Sequence, residues 1–203
     1  MRIECTIEHD NATAHQQICS EGLGFFDQVE SEGKTILQMA ARAGSSNIVA
    51  LHLGYGADID EIDTIGRSAL HYACEVGSAK VVQILLKEGA NLEMEDHKQT
   101  TTLHMTTYNT GVEVLDALLD AGADIEANDD QMDTPLAWGG QFNRPKAVKA
   151  LLNWGANVET LNKIGQTPLL TGTGNCYIVV VKNLLENGAN FESWDTEGER
   201  PLH

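Results

Sequence analysis

Three histidines, His71, His104 and His203, fall at one position of a 33-residue period, and regularly spaced imidazoles suggest metal ligation. Packed neighbouring helices sit about 8–10 Å apart, and zinc bonds of about 2 Å cannot bridge that gap. His71 and Cys74 are three apart on one helix, yet no second pair of Cys or His lies nearby to complete a site. Asp60, Glu93, Glu126, Glu159 and Glu192 make a carboxylate ladder with the same spacing, too wide for one calcium ion. They are expected to be solvated charges with local partners. Gly172-Thr173-Gly174 lacks the lysine and spacing of a phosphate loop, and neither a nucleophile elbow nor paired catalytic carboxylates are found. The residues point away from an enzyme: no catalytic residue, metal or cofactor is expected.

The spacing itself is the stronger signal. Gly56-Ala57-Asp58-Ile59-Asp60 returns as Gly89-Ala90-Asn91-Leu92-Glu93, Gly122-Ala123-Asp124-Ile125-Glu126, Gly155-Ala156-Asn157-Val158-Glu159 and Gly188-Ala189-Asn190-Phe191-Glu192, each step being 33 residues. A period of that size marks a solenoid, in which each repeat contacts its neighbours and the stack presents a long concave surface. Binding is the expected task.

Each repeat must then contain its own short elements. Ser68 is the expected N-cap of a helix over Ala69-Leu70-His71-Tyr72-Ala73, and Thr35, Thr101, Thr134 and Thr167 hold the same place. Pro135 and Pro168 follow the cap, where a missing N–H costs nothing. Val81-Val82-Gln83-Ile84-Leu85-Leu86 carries an apolar stripe for a second helix. The periodic glycines end that helix in the left-handed region. Thr106, Gly139 and Gly172 replace the alanine present as Ala40 and Ala73. The later first helices should therefore be weaker, and alanine at Gly139 or Gly172 should add about 0.5–1 kcal/mol.

Gly165-Gln166-Thr167-Pro168-Leu169 and Gly188-Ala189-Asn190, with Ser68-Ala69-Leu70-His71 as a variant, resemble the ankyrin-repeat family over residues 30 to 203. The resemblance implies an all-α ankyrin-repeat solenoid of stacked helix-turn-helix units joined by β-turn or hairpin loops. Five units are placed at 30–62, 63–95, 96–128, 129–161 and 162–194, with a partial sixth at 195–203 and an N-terminal segment and capping helix over 1–29. The partial repeat suggests a chain cut from a longer protein. The resemblance also implies that the histidines bridge backbone or Thr groups of adjoining turns.

Thirteen Lys and Arg against 30 Asp and Glu give a formal charge of −17, which repels nucleic acid and anionic membranes and favours a basic or apolar partner surface. Cys5, Cys19, Cys74 and Cys176 form no framework, and neither a membrane span nor a signal peptide is seen. A monomeric cytoplasmic or nuclear protein is expected.

The resemblance implies that a protein partner meets the turn tips and the exposed side of the first helices. The matching positions include Ile65, Arg67, Glu75 and Val76, then Lys98, Tyr108 and Asn109, then Asp130, Asp133, Gln141 and Phe142, and finally Ile164 and Trp194. Gln131, Lys163 and Gln166 occupy equivalent positions. Tyr108 and Phe142 are the sharpest candidates, since aromatic anchors with polar rims are what interface hot spots look like. Asp130, Asp133 and Glu75 would steer a basic partner. The reading is a non-enzymatic protein-interaction module, or else the recruiting arm of a larger enzyme or regulator.

Overall fold

The computed structural model describes residues 33–108 and 112–192. Ten helices form among them, and no strand. A first compact unit, ending at His97, holds α1 (Ile36–Arg42), α2 (Ser46–Gly54), α3 (Ala69–Val76) and α4 (Ala79–Lys87). A second unit, from Lys98, holds α5 (Thr102–Thr106), α6 (Glu113–Asp120), α7 (Pro135–Gln141), α8 (Pro145–Asn153), α9 (Pro168–Gly174) and α10 (Ile178–Glu186). The capping segment expected over 1–29 and the partial repeat at 195–203 lie outside the described residues.

The helices start where the cap residues require. Thr35, Thr134 and Thr167 accept the backbone N–H of Gln38, Ala137 and Leu170, which satisfies one orphan donor of each first turn. Each second helix ends two residues before its periodic glycine, with φ of 84 to 95° at those glycines. The amides of Ala57, Ala90, Ala123, Ala156 and Ala189 then reach back to the carbonyls of His52, Leu85, Leu118, Leu151 and Leu184 at 3.0–3.1 Å. This is a Schellman closure, and it needs a residue that tolerates positive φ.

Within the first unit α1 packs on α3 and α2 on α4; within the second, α7 packs on α9 and α8 on both α6 and α10. First helices thus stack on first helices and second on second. The core is the apolar stripe of each second helix, fully buried at Ile48, Leu85, Leu118, Leu151 and Leu184, facing Leu70, Leu103, Leu136 and Leu169.

The expectation that alanine at Gly139 adds stability is reversed. A Cβ there would lie 2.8 Å from Cγ2 of Val148, a fully buried and branched side chain that cannot swing aside. On the neighbouring residue, a Cβ at Gly140 would sit 3.1 Å from the carbonyl oxygen of Pro168. The glycine pair lets α7 approach α8 on one side and α9 on the other. At Gly172 the nearest contact is looser, 3.3 Å to Val180. α5 is only five residues long; the Thr106 and Thr107 hydroxyls donate to the Leu103 and His104 carbonyls, a back-bonding that competes with helix continuation.

Candidate interaction face of the second unit

The turns that precede α3, α7 and α9 are each built by one Asx side chain. Asp129 Oδ1 accepts the amides of Gln131 and Asp133 at 2.8 and 2.9 Å, and Asn162 Oδ1 accepts those of Ile164 and Gln166. Successive turns are then joined through the main chain. The amide of Asp130 donates to the Lys98 carbonyl at 2.8 Å, and that of Lys163 to the Gln131 carbonyl at 2.9 Å. Gly66 shows how close this approach is in the first unit, since a Cβ there would come within 2.9 Å of the His97 backbone nitrogen.

His104 ties the second unit's turns to its helices. The Thr101 amide donates to Nδ1 at 3.3 Å, which leaves Nε2 to donate to the Asp133 carbonyl at 3.0 Å. Both ring nitrogens are committed to structure, as the family resemblance implied. In the first unit Gln38 performs the same task through Nε2, bonding the carbonyls of Glu61 and Arg67, while Nδ1 of His71 accepts from the Ser68 amide. His203 lies outside the described residues. Cys74, fully buried, has its thiol pushed up by loss of solvation, so it offers no thiolate ligand.

The carboxylate ladder has structural work. Glu126 Oε1 accepts the Asn157 amide at 2.7 Å, Glu159 Oε1 accepts the Asn190 amide at 2.7 Å, and in the first unit Asp60 accepts the Asn91 amide at 2.9 Å. Each of these carboxylates staples its repeat to the loop of the next.

Tyr108 and Phe142 come together, with ring centroids 5.3 Å apart. Trp138 on α7 completes the cluster, at 5.4 Å from both and edge-on to each. It also meets the His104 ring at 5.2 Å and donates its indole N–H to Asp129 Oδ2 at 2.8 Å. Trp138 was not among the expected site residues. A signal did exist: Trp138 and Phe142 are an i, i+4 aromatic pair, at the helix position where the first unit has Tyr72, whose hydroxyl likewise donates to its turn aspartate, Asp63.

Beside this cluster lies a groove of about 220 Å³, lined by Gln131, Asp133, Gln141 and Asn162 on one part and by Lys163, Ile164, Gln166 and Thr171 on the other. Gln141 of the groove and Phe142 of the aromatic cluster are consecutive residues, which keeps the two features one residue apart along the chain. Ile164 is 57% exposed and Tyr108 37%.

The remaining candidates divide. Asp133 differs from the expected steering charge: it is buried, its side chain faces Asn162, and burial raises its carboxyl pKa, with Asn162's hydrogen bond lowering it and Asp129's charge raising it again. Asp130 is half-buried and accepts the Gln131 amide group. In the first unit Arg67 is bracketed by Glu75 at 3.3 Å and the buried Asp96 at 3.2 Å, so Arg67 and Glu75 partner each other. Ile65 and Val76 are exposed, as is Lys98 of the second unit. Asn109 and Trp194 lie outside the described residues.

Residues 5–96 match the family model for ankyrin repeats (3 copies), a span that begins ahead of residue 30. No curated protein matches the chain at a significant level. Among solved structures, the human ASB11 ankyrin repeat domain matches with a TM-score of 0.88 and 25% identity, over 100% of this chain and 90% of that one. The ankyrin repeat domain of Bcl-3, described as a unique member of the IkappaB protein family, matches at 0.83 and 26% identity, over 100% and 92%. The chain is an all-α repeat protein with the fold of ankyrin repeat domains, and its residues 5–96 match the ankyrin-repeat family. Ankyrin-repeat domains are generally protein-interaction modules. Among the described residues, no helix is long and apolar enough to cross a membrane.

Proposed function

We propose that this protein is a non-enzymatic interaction module whose second unit grips a protein partner across the Tyr108–Trp138–Phe142 ledge and the adjoining groove. The observation that carries the reading is the cluster itself: three aromatic rings within 5.4 Å of one another, partly open to solvent, beside a polar groove. Large aromatic side chains held rigid by their neighbours lose little entropy on binding and bury much area. His104, Asp60, Glu126 and Glu159 are occupied in joining repeats, whereas the exposed ring edges and the groove are chemically available. The same reading takes residues 1–29 as a capping segment, 30–203 as repeats, and the protein as a monomer of the cytoplasm or nucleus.

The test is affinity capture from cell lysate with the native chain and with Tyr108→Ala, both checked for equal melting temperature. A captured protein lost with the variant supports the ledge as the contact. A captured protein retained at full strength places the contact elsewhere.

A further inference from the structure

We infer that the groove beside the aromatic ledge holds an extended, basic peptide segment by its main chain, with one large apolar side chain of that segment resting on Tyr108 and Phe142. The inference rests on the reading of this face as a protein contact surface and adds what kind of partner it fits.

The lining is unusual in being rich in carboxamides: Gln131, Gln141, Gln166 and Asn162 all contribute. A carboxamide presents one acceptor and two donors, the same functions as a peptide group, so it pairs with main chain whatever the side chains are. Asn162 spends its oxygen on its own turn. Gln141 makes no such commitment: it is exposed, and its amide has no partner among the described residues. Gln131 donates to Asp130 and keeps its oxygen open to an incoming N–H. Such groups lose hydration without reward unless a chain with unpaired donors and acceptors enters. An extended strand supplies both, on alternate sides of its backbone.

The volume agrees with that occupant. About 220 Å³ accommodates a short length of a single chain. The apolar elements stand at its borders, with Ile164 on one part and the Tyr108–Phe142 ledge next to Gln141. An extended segment can place a large side chain on the ledge while its backbone remains in the groove.

Charge sets the sign of the segment. The whole protein carries a formal −17, while Lys163 puts a cation on one part of the groove. A Lys or Arg of the segment is therefore drawn in by the overall negative field and points away from Lys163. Acidic segments meet the wrong field over most of the approach.

The experiment uses the full chain as bait for random peptides displayed on phage, followed by affinity measurements on synthetic versions of the enriched sequences. Enriched peptides are expected to be net positive with one aromatic or large aliphatic residue. Gln141→Ala, and N-methylation of one or two peptide amides, are each expected to weaken binding about five- to tenfold, the size of one lost hydrogen bond. Tyr108→Ala should weaken it at least as much. Gln141 is exposed and unpartnered, so its variant keeps the fold. Absence of enrichment, or enrichment of acidic peptides, overturns the inference. If Tyr108→Ala weakens binding but Gln141→Ala and N-methylation do not, main-chain recognition is wrong and the ledge as contact surface survives. If neither variant changes affinity, both readings fall.

Discussion

The carboxyl of Asp133 sits where water reaches it poorly. Burial is the first cause of its raised pKa, Asn162's hydrogen bond opposes the rise, and the charge of Asp129 adds to it. A folded pKa above the ordinary value of 3.8 means the native state keeps its proton longer than the unfolded chain. The resulting stability is full below 3.8 and is lost as pH rises through the raised value. Asparagine is neutral throughout. The melting temperature of Asp133→Asn relative to the wild type should therefore be higher at about pH 7 than at about pH 3. An equal difference at both values assigns the cost to something other than this carboxyl. The two described cysteines make a second contrast, since Cys74 is buried with its thiol pushed up and Cys176 is exposed. Iodoacetamide followed by peptide mapping should modify Cys176 in the native protein, and Cys74 only after unfolding. At this scale the sequence spoke clearly where the backbone chemistry is local. The caps at Thr35, Thr134 and Thr167 and the helix-ending glycines depend on neighbours a few residues away. It misassigned Asp133, which is buried and has its hydrogen-bond partner Asn162 29 positions on.

Elements meet through contacts that helix propensity does not contain. Gly139 costs α7 rigidity, yet its missing Cβ is the space that Cγ2 of Val148 approaches at 2.8 Å. Overpacking a well-filled core costs about 1–3 kcal/mol, against a propensity gain of about 0.5–1 kcal/mol. Gly139→Ala is therefore expected to lower the melting temperature by several degrees, on the order of 2–4 °C per kcal/mol at this chain length. Gly172→Ala, with a looser 3.3 Å contact, should fall much nearer the wild type. Unfolding scans of the two variants side by side decide the matter, and a higher melting temperature for Gly139→Ala would restore the propensity argument. The ladder is the opposite case. Glu126 looks like a solvated charge in sequence but accepts the Asn157 amide of the next repeat. Glu126→Ala should cost about 0.5–1.5 kcal/mol by loss of that bond, read from chemical unfolding midpoints. Inter-repeat bonds of this kind escape a reading of one repeat at a time. Of the aromatic cluster, Tyr108 and Phe142 were legible as exposed positions of successive repeats, whereas Trp138, which joins them, was not.

For the molecule as a whole, charge and apolar contact should separate in kinetics. A formal −17 acts at a distance and is screened over about 10 Å at 0.1 M salt, so it changes how often a basic segment arrives. The Tyr108–Phe142 ledge acts only at contact, so it changes how long the segment stays. For a basic peptide bound to the full chain, raising salt from about 0.05 to about 0.5 M should slow association several-fold and leave dissociation nearly unchanged. Tyr108→Ala should do the reverse, with faster dissociation at either salt concentration and the same association rate. Surface plasmon resonance on both proteins at both concentrations supplies the four pairs of rates. Salt-insensitive association would show that the acidic excess is a solvated surface without a steering role. Slower association for Tyr108→Ala would place that ring in the encounter step, and the division of labour between field and contact would fail.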